Sequence, residues 1–424
     1  MRFDVIIIGG GLAGLAAGLR LQGEGLSCAL INAGQSALHF SSGALDLLNF
    51  MPDGSPVENP GAVLRELVTL EPEHPYALLG AERVMELAVR SEELLAQWGV
   101  SMNGSVAGGN HYRITPLGEL HPTWLSVPEV LEAGREKRLP WKKVLLVNIE
   151  GFLDFTPEIL AENLAVMGVA SEILYFATPE LEHLRKNPSE FRSINIARVL
   201  DLPQNLETFA SRLAHVAGDC EAVLLPACLG SKGPASIETV SRVAGRPVKV
   251  VPTLPPSVLG ARLGDLLTTR FTSLGGVYMP GDRAVGYSQA TGRITEIVTV
   301  NHEDIALEAD NFILATGGFF SQGLRSNPHG VHEPIFNLDL LEVPEDRGLW
   351  TAPDVFGPQP YSRFGVRSDA FMRTFMEGRL VPNLYAAGMV LGGYNAVRLG
   401  CGGGVALTTA LAAAESILQG RAGP

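Results

Sequence analysis

The sequence predicts an α/β fold built on a parallel β-sheet, and three observations near the N-terminus support this. A short β-branched run, Val5–Ile8, leads into the glycine turn Gly9–Gly14. An alanine- and leucine-rich segment follows and ends at Gly25, and a second apolar run covers Ser27–Ile31. A buried strand, a glycine turn, a helix and another strand make a βαβ unit, whose two strands run parallel.

The composition is that of an ordered globular chain with a marked excess of glycine. Of 424 residues, 46% are hydrophobic and 18% are charged, which excludes a disordered or coiled-coil protein and allows two or three domains. Glycine accounts for 48 residues, about 11% against an average near 7%. These glycines cluster beside apolar runs, as expected where backbone approaches a ligand closely.

Charge and cysteine content exclude several classes of function. The 32 basic and 45 acidic side chains give a net charge of −13, so we expect no nucleic-acid binding and membrane contact only through a partner. No apolar run reaches 18 residues, and the first one stops at Gly9, so the chain is expected to be cytoplasmic. The four cysteines have no metal-binding spacing, which predicts buried thiols and no metal site.

The elements that follow indicate an insertion into the first unit. We predict an inserted α/β domain over 46–254, closed by the proline-rich segment 253–257, and a second proline- and aromatic-rich insertion over 321–375. The remaining parts, 1–45, 255–320 and 376–424, are predicted to form one ligand-binding domain. The elements expected are helices over 61–70 and 80–98, a strand over 144–149, a helix from Pro157, a strand over 222–225, a helix over 259–274, and paired strands over 286–289 and 294–300. In the helix over 259–274, Arg262, Asp265 and Thr269 are expected to face away from the core.

The turn Gly9-x-Gly11-x-x-Gly14 lies between a strand and a helix, and this context favours binding of a phosphate or dinucleotide. The acid that normally follows about 20 residues later to bind an adenosine ribose is absent. Asn32 stands at the end of the second strand, and no carboxylate occurs between Glu24 and Asp46. Either the adenosine of a dinucleotide is held weakly there, or the ligand lacks adenosine, as FMN does.

Later segments point to a flavin. Ala315-Thr316-Gly317 ends one apolar run and Gly388 ends another, while Gly402, Gly403 and Gly404 open a final helix. The positive end of that helix would favour the negative charge of a reduced flavin. The alternative is that these glycines only permit tight packing.

The chain resembles the B subunit of the bacterial anaerobic glycerol-3-phosphate dehydrogenase. The resemblance runs from residue 1 to the final helix and is carried by these segments: 1–6, 9–14, 35–43, 115–118, 191–192, 195–198, 252–260, 279–282 and 400–405. It implies a Rossmann-like FAD/NAD(P)-binding flavoprotein fold with an inserted α/β cap domain and a flavin, FMN by preference with FAD as the alternative. It also implies an FAD-containing A subunit and an iron–sulfur C subunit as partners, at the cytoplasmic side of the inner membrane. The complex oxidises sn-glycerol 3-phosphate to dihydroxyacetone phosphate and passes electrons to quinone, with fumarate or nitrate as terminal acceptor.

The reaction requires a base for the hydroxyl proton and cations for the phosphate. His39 is the leading candidate for a base or flavin contact, beside Ser41, Ser42 and Gly43 in a loop expected near the flavin. The other candidates are Arg398 and Arg270 for the anion and Asn395 for flavin or substrate; ordinary surface or local hydrogen-bonding roles are the alternatives for all of them.

Two other functions compete with a catalytic flavin subunit. The missing acid at Asn32 would also suit a degenerate flavin fold that only joins the A subunit to the membrane subunit. The Ala315–Gly317 segment and the closing glycines would suit a stand-alone flavin reductase of the fumarate-reductase type.

Overall fold

The structure is a computed structural model and describes residues 1–302 and 305–422. The strands are β1 (Arg2–Ile8), β2 (Cys28–Asn32), β3 (Ala44–Leu45), β4 (His111–Ile114), β5 (Leu120–Thr123), β6 (Leu125–Ser126), β7 (Glu132–Gly134), β8 (Lys143–Ile149), β9 (Ala170–Phe176), β10 (Ala222–Pro226), β11 (Val248–Val251), β12 (Val277–Pro280), β13 (Ala284–Ala290), β14 (Arg293–Thr299), β15 (Leu307–Leu314), β16 (Arg325–Asn327), β17 (Gly330–His332), β18 (Leu340–Leu341), β19 (Gly365–Val366), β20 (Arg373–Met376) and β21 (Arg379–Ala386). The helices are α1 (Leu12–Gln22), α2 (Pro60–Leu70), α3 (Pro75–Leu79), α4 (Ala81–Gln97), α5 (Pro157–Val166), α6 (Glu182–Arg185), α7 (Ser193–Leu200), α8 (Pro203–Val216), α9 (Ala235–Ala244), α10 (Val258–Ser273), α11 (Ala396–Leu399) and α12 (Gly402–Ala422).

The large sheet has the strand order β12-β2-β1-β15-β14-β13, with β21 pairing with the second half of β15 and β20 pairing with β21. Strands β12, β2, β1, β15 and β21 run parallel. Strands β13 and β14 form the expected antiparallel pair. The predicted parallel α/β fold is therefore confirmed, and the carboxyl ends of four distant segments meet at one edge of the sheet.

Helices α1, α10 and α12 cover the sheet through close contacts at small residues. In α1 a side chain at Gly18 would place its Cβ 2.6 Å from Cε2 of Phe271 in α10, so glycine is required for the two helices to pack together. Helix α12 packs against both α1 and α4. These contacts tie the two ends of the chain into the first hydrophobic core.

A second, smaller sheet has the order β11-β10-β8-β9, and all its pairings are parallel. It has its own hydrophobic core with α5, α8 and α9, and that core starts near Ile114. Residues of α2 and α4, such as Leu64, Val84 and Leu95, belong to the first core instead. We therefore propose that the inserted domain starts later than residue 46, because the helices before it complete the larger core.

Arg262, which was expected to face away from the core, is buried. Its side chain is 10% exposed and pairs with the carboxylate of Glu129, which is 5% exposed. The guanidinium also donates to the carbonyl oxygen of Gly230 at 3.1 Å. Helix α10 is thus covered on two faces, by the large sheet and by the inserted domain. Burial lowers the pKa of Arg262 to about 10.

In the described part of the chain, no helix has both the length and the apolar character needed to cross a bilayer. The prediction of buried cysteines is confirmed for Cys28, Cys220, Cys228 and Cys401, which are all unpaired thiols. Burial raises the pKa of Cys28 to about 12, so this thiol stays protonated.

We expect Arg262→Met to lower the free energy of unfolding by about 3–5 kcal/mol, because it leaves the Glu129 carboxylate buried without its partner. Arg270→Met on the exposed side of the same helix is the matched control, with an expected change within about 0.5 kcal/mol. Denaturant unfolding followed by circular dichroism measures both variants. Equal stability of the two would show that the buried pair does not hold the inserted domain to α10.

Candidate flavin site

A cavity of about 880 Å³ lies at the carboxyl edge of the large sheet. Its wall combines the turn after β1, the end of β2, the loop after β15, the segment after β21 and the start of α12. Ligands of open α/β sheets bind at this edge because the loops there are free of the sheet. The predicted cofactor residues that line the cavity are Gly9, Gly11, Asn32, Ser41, Ala315, Thr316, Gly317, Gly388, Gly402 and Gly403.

The three glycines of the first turn have different roles. Gly9 has φ +119°, and a Cβ there would lie 2.2 Å from the carbonyl oxygen of Ala315. A Cβ at Gly14 would lie 1.9 Å from the carbonyl oxygen of Gly9, so Gly14 lets α1 pack onto the turn and does not line the cavity. At Gly11 the nearest atom would be Cβ of Ser36 at 3.8 Å, so Gly11 keeps open space for a ligand.

Helix α1 begins directly at this open space. Gly11 is its N-cap and supplies no side-chain hydrogen bond to the first turn. The first N–H groups of a helix have no partner within the helix and carry a partial positive charge, so they suit a phosphate group. The wall also includes the guanidinium-bearing residues Arg283 and Arg325, which no sequence motif marks. These features fit the diphosphate or phosphate of a flavin nucleotide.

The loop after β15 brings a polar atom that lacks a partner. The hydroxyl of Thr316 is buried and makes no hydrogen bond within the described chain. A buried hydroxyl without a partner costs free energy, and a polar ligand in the cavity would supply one. Gly317 beside it has φ +76°, a conformation that favours glycine. This loop therefore fits contact with the polar edge of a flavin.

The closing segment completes the opposite wall. Gly388 has φ +75°, and its N–H donates to Oγ1 of Thr409 at 2.9 Å. At the start of α12, Gly402 and Gly403 line the cavity. Gly404 does not, since a Cβ there would lie 2.3 Å from the hydroxyl of Tyr76. Gly404 thus permits tight packing, which is the alternative role considered for the closing glycines in the sequence analysis.

Beyond Asn32 the cavity continues along residues 281–285 and reaches Val300. The Asn32 amide donates to the hydroxyl of Tyr278 at 2.5 Å. Asp282 is buried, and its carboxylate accepts from the N–H groups of Arg283 (2.8 Å) and Asn301 (3.0 Å). Burial alone would raise the pKa of Asp282, but these bonds and those with Thr299 and His302 hold it below the ordinary value. Asp282 thereby fixes the far end of the cavity; in the sequence its segment stands out only as part of the family resemblance.

Several predicted residues lie behind the cavity wall. His39 lies in a short turn, and its carbonyl oxygen accepts a hydrogen bond from the N–H of Ser257 at 2.7 Å. The Nδ1 atom of the His39 ring is buried and has no partner among the described residues. Ser42 and Gly43 also lie outside the lining. At Gly43, φ is +79° and a Cβ would lie 3.0 Å from Cβ of Leu259, so packing against α10 explains the glycine. These positions do not support direct contact with a flavin.

The other three candidates, Arg270, Arg398 and Asn395, are also absent from the cavity lining. Arg270 lines a separate cavity between α10 and the inserted domain. Arg398 is exposed and donates to the carbonyl oxygen of Pro52 at 2.9 Å. Asn395 donates to Oγ of Ser362 at 2.7 Å and caps α11 by accepting from Arg398 N–H. None of these three side chains lines the flavin cavity, and those of Arg398 and Asn395 make hydrogen bonds elsewhere.

Comparison with known proteins agrees with a flavin site. A family model described as an FAD binding domain matches residues 4–405. The chain is 49% identical over 420 residues to the B subunit of anaerobic glycerol-3-phosphate dehydrogenase from Yersinia enterocolitica, covering 99% of each chain. It is 45% identical over 419 residues to the protein of the same name from Pectobacterium atrosepticum, again covering 99% of each.

Among solved structures, 3-ketosteroid delta1-dehydrogenase from Sterolibacterium denitrificans covers 99% of the chain at 11% identity. The chain covers 100% of that protein, with a TM-score of 0.46. The glycerol-3-phosphate dehydrogenase B subunits, in contrast, are 45–49% identical to the chain over almost its whole length. The chain belongs to the family of B subunits of anaerobic glycerol-3-phosphate dehydrogenase, whose members are oxidoreductase subunits with an FAD-binding domain.

Proposed function

We propose that the chain is the flavin-carrying B subunit of a complex that oxidises sn-glycerol 3-phosphate to dihydroxyacetone phosphate and passes the electrons to quinone, with fumarate or nitrate as terminal acceptor. The single observation that carries the proposal is the cavity at the sheet edge, where Gly11, Thr316 and Gly403 meet from three distant parts of the chain. When bound there, a flavin supplies the two-electron acceptor that alcohol oxidation requires.

We propose FAD as this flavin, in place of FMN. The cavity does not end at Asn32 but continues past it along residues 281–285. FMN ends at its phosphate, so this extension would be unused, whereas the adenosine of FAD would occupy it. The amide of Asn32 then takes the place of the usual ribose-binding acid, with a neutral hydrogen bond instead of a charge-assisted one.

We further propose that the chain works with an FAD-containing A subunit and an iron–sulfur C subunit at the cytoplasmic side of the inner membrane. A relative's designation as a B subunit supports assembly into a complex. The acidic net charge of −13 favours attachment through a protein partner over direct contact with anionic lipid. Electrons from a flavin in this chain would pass to clusters in a partner, since the four cysteines here are separate and buried.

The first prediction concerns cofactor identity. The gently purified chain should be yellow, with close to one flavin per chain, and mass spectrometry of the released cofactor should give the mass of FAD. A released mass equal to FMN would overturn the choice of FAD and leave the flavin site intact. A colourless chain would instead favour the scaffold function.

A second prediction uses Gly11, where the fold leaves room for a side chain and the ligand does not. Gly11→Val should fold normally yet lose flavin occupancy by about 10-fold or more, because the branched side chain occupies the space over the helix end. Gly420→Val, where a Cβ meets nothing within 4 Å, is the matched control and should keep its flavin. Absorbance at the flavin band relative to 280 nm reports the occupancy; full occupancy in Gly11→Val would contradict the assigned site.

A third prediction separates the two cofactors at Asn32. Asn32→Asp should bind FAD about fivefold more tightly, because a carboxylate makes a charge-assisted hydrogen bond to the ribose that is worth about 1 kcal/mol more. FMN has no adenosine ribose, so its affinity should not change. Titration of the flavin-free chain with each cofactor, followed by flavin fluorescence, measures both. An equal change for FAD and FMN would place Asn32 away from the adenosine.

A fourth prediction concerns the complex. Mixing the chain with its A subunit should give oxidation of sn-glycerol 3-phosphate with a dye as acceptor, and omitting the chain should lower the rate. Dye reduction at the same rate without the chain would show that it has no required part in oxidation.

A further inference from the structure

A polar cluster adjoins the flavin cavity at its closing end. It consists of Asp46, Arg113, His121 and Thr123, none of which belongs to a motif of the sequence. Strands β4 and β5 carry three of these residues, and Asp46 follows β3. The carbonyl oxygen of Asp46 accepts from Gly404 N–H at 2.8 Å, and a Cβ at Gly403 would lie 3.0 Å from the Asp46 nitrogen. Because Leu45 and Gly403 line the cavity, the cluster starts one residue behind its wall.

The arginine of the cluster is held in place but keeps a free donor. Nε of Arg113 donates to Oγ1 of Thr123 at 2.9 Å, and that hydroxyl donates to the Asp46 carboxylate at 3.0 Å. The NH2 group of Arg113 lies 3.8 Å from the same carboxylate. Its NH1 group makes no hydrogen bond within residues 1–302 and 305–422. This group is also not fully buried, so a ligand can reach it. A fixed guanidinium with a free edge suits recognition of a phosphate.

The surroundings of His121 favour one tautomer. Its Nδ1 lies 2.9 Å from the carbonyl oxygen of Pro122, which can only accept. The amide nitrogen of Asn49 and the NH2 group of Arg113, which are donors, lie farther from that nitrogen, at 3.4 Å. We assign the proton to Nδ1 on the basis of the shorter contact. The ring packs edge-on against Phe50, with centroids 5.4 Å apart. Nε2 therefore has a lone pair, and it makes no hydrogen bond within the described part of the chain.

The protonation state agrees with a base. Burial lowers the pKa of His121 below its ordinary value, and Arg113 lowers it further, whereas Asp46 and Glu119 act in the opposite direction. The imidazole is therefore neutral at neutral pH. Neither acidic neighbour makes a hydrogen bond to Nε2 among the residues described.

We propose that this cluster is the substrate site of the chain, in which Arg113 binds the phosphate of a short phosphate monoester and His121 takes the proton of its secondary hydroxyl group. The proposal rests on the proposed function and assigns the oxidation to this subunit. The O–H bond breaks and its proton goes to Nε2 of His121, while the C–H bond at the same carbon breaks and a carbonyl π bond forms. With an oxidised flavin bound in the cavity, that flavin would supply the acceptor for the hydride and its two electrons.

Binding to the flavin-loaded full chain tests the anion site without any turnover. Titration calorimetry with sn-glycerol 3-phosphate under anaerobic conditions, using chain whose flavin has first been reduced, should show one site. Arg113→Gln should weaken binding by about 10-fold or more, and Arg113→Lys by less, because the ammonium keeps the charge and loses the fork. Arg138→Gln, at an exposed position after β7, is the matched control and should bind as the unaltered chain does. Unchanged affinity in Arg113→Gln, or no binding to the loaded chain, would overturn the proposal.

Kinetics of the complex test the base. His121→Gln should lower kcat by about 100-fold or more with KM changed less than about threefold, since a general base acts on the transition state. The rate of the unaltered complex should fall as the pH falls through the lowered pKa of His121, because the imidazole then holds a proton; this acidic limb should be absent in the variant. An unchanged kcat, or an acidic limb that persists, would rule out His121 as the base. If the complex oxidises the substrate while this chain does not bind it, only the present inference fails; if no oxidation occurs at all, the proposed function fails.

Discussion

The parallel pairing of β1 with β15 is the interaction on which the rest of the molecule depends. Residues about 300 positions apart share this ladder, from Arg2 with Glu308 to Ile8 with Leu314. Strand β21 then pairs with the end of β15. The three strands end at the same edge, so their loops meet there without further adjustment. The pairing is possible only because Gly9 has no side chain where the chain passes the carbonyl oxygen of Ala315.

The glycines have two different roles, which together explain why this residue type is so frequent. Gly9, Gly14, Gly18 and Gly404 allow backbone, helix or side-chain groups to come closer than a Cβ would permit. Gly11, Gly402 and Gly403 instead border the cavity, where the ligand needs the space. Packing and ligand binding thus place the same demand on the same residue type. Composition alone does not separate the two demands, since both produce glycine next to apolar runs.

The inserted domain contacts the flavin-binding domain through α10, and this contact includes an ion pair as well as apolar packing. Leu263 and Phe271 contribute to the first core, whereas Leu259 belongs to the second. Between them Arg262 reaches the buried Glu129 of the inserted domain. From the sequence, a charged residue at this position is predicted to be exposed, because the 3.6-residue period of a helix separates one apolar face from one polar face. This period does not reveal that a second domain covers the polar face.

The parallel α/β fold and the glycine-containing segments that line the cavity could be predicted from the amino-acid sequence alone. Each of these depends on local patterns: a β-branched run, a glycine spacing, or a strand that ends in Ala-Thr-Gly. The side chains that accompany the flavin could not be predicted in this way, because they depend on the three-dimensional packing. His39, Arg270 and Arg398 are suitable residue types in suitable segments, yet their side chains lie away from the cavity. The proposed substrate residues Arg113 and His121 come from the paired strands β4 and β5, and the contact of Asp46 with Gly404 places their cluster one residue behind the cavity wall. Such a contact joins residues more than 350 positions apart, and no local spacing in the chain records it.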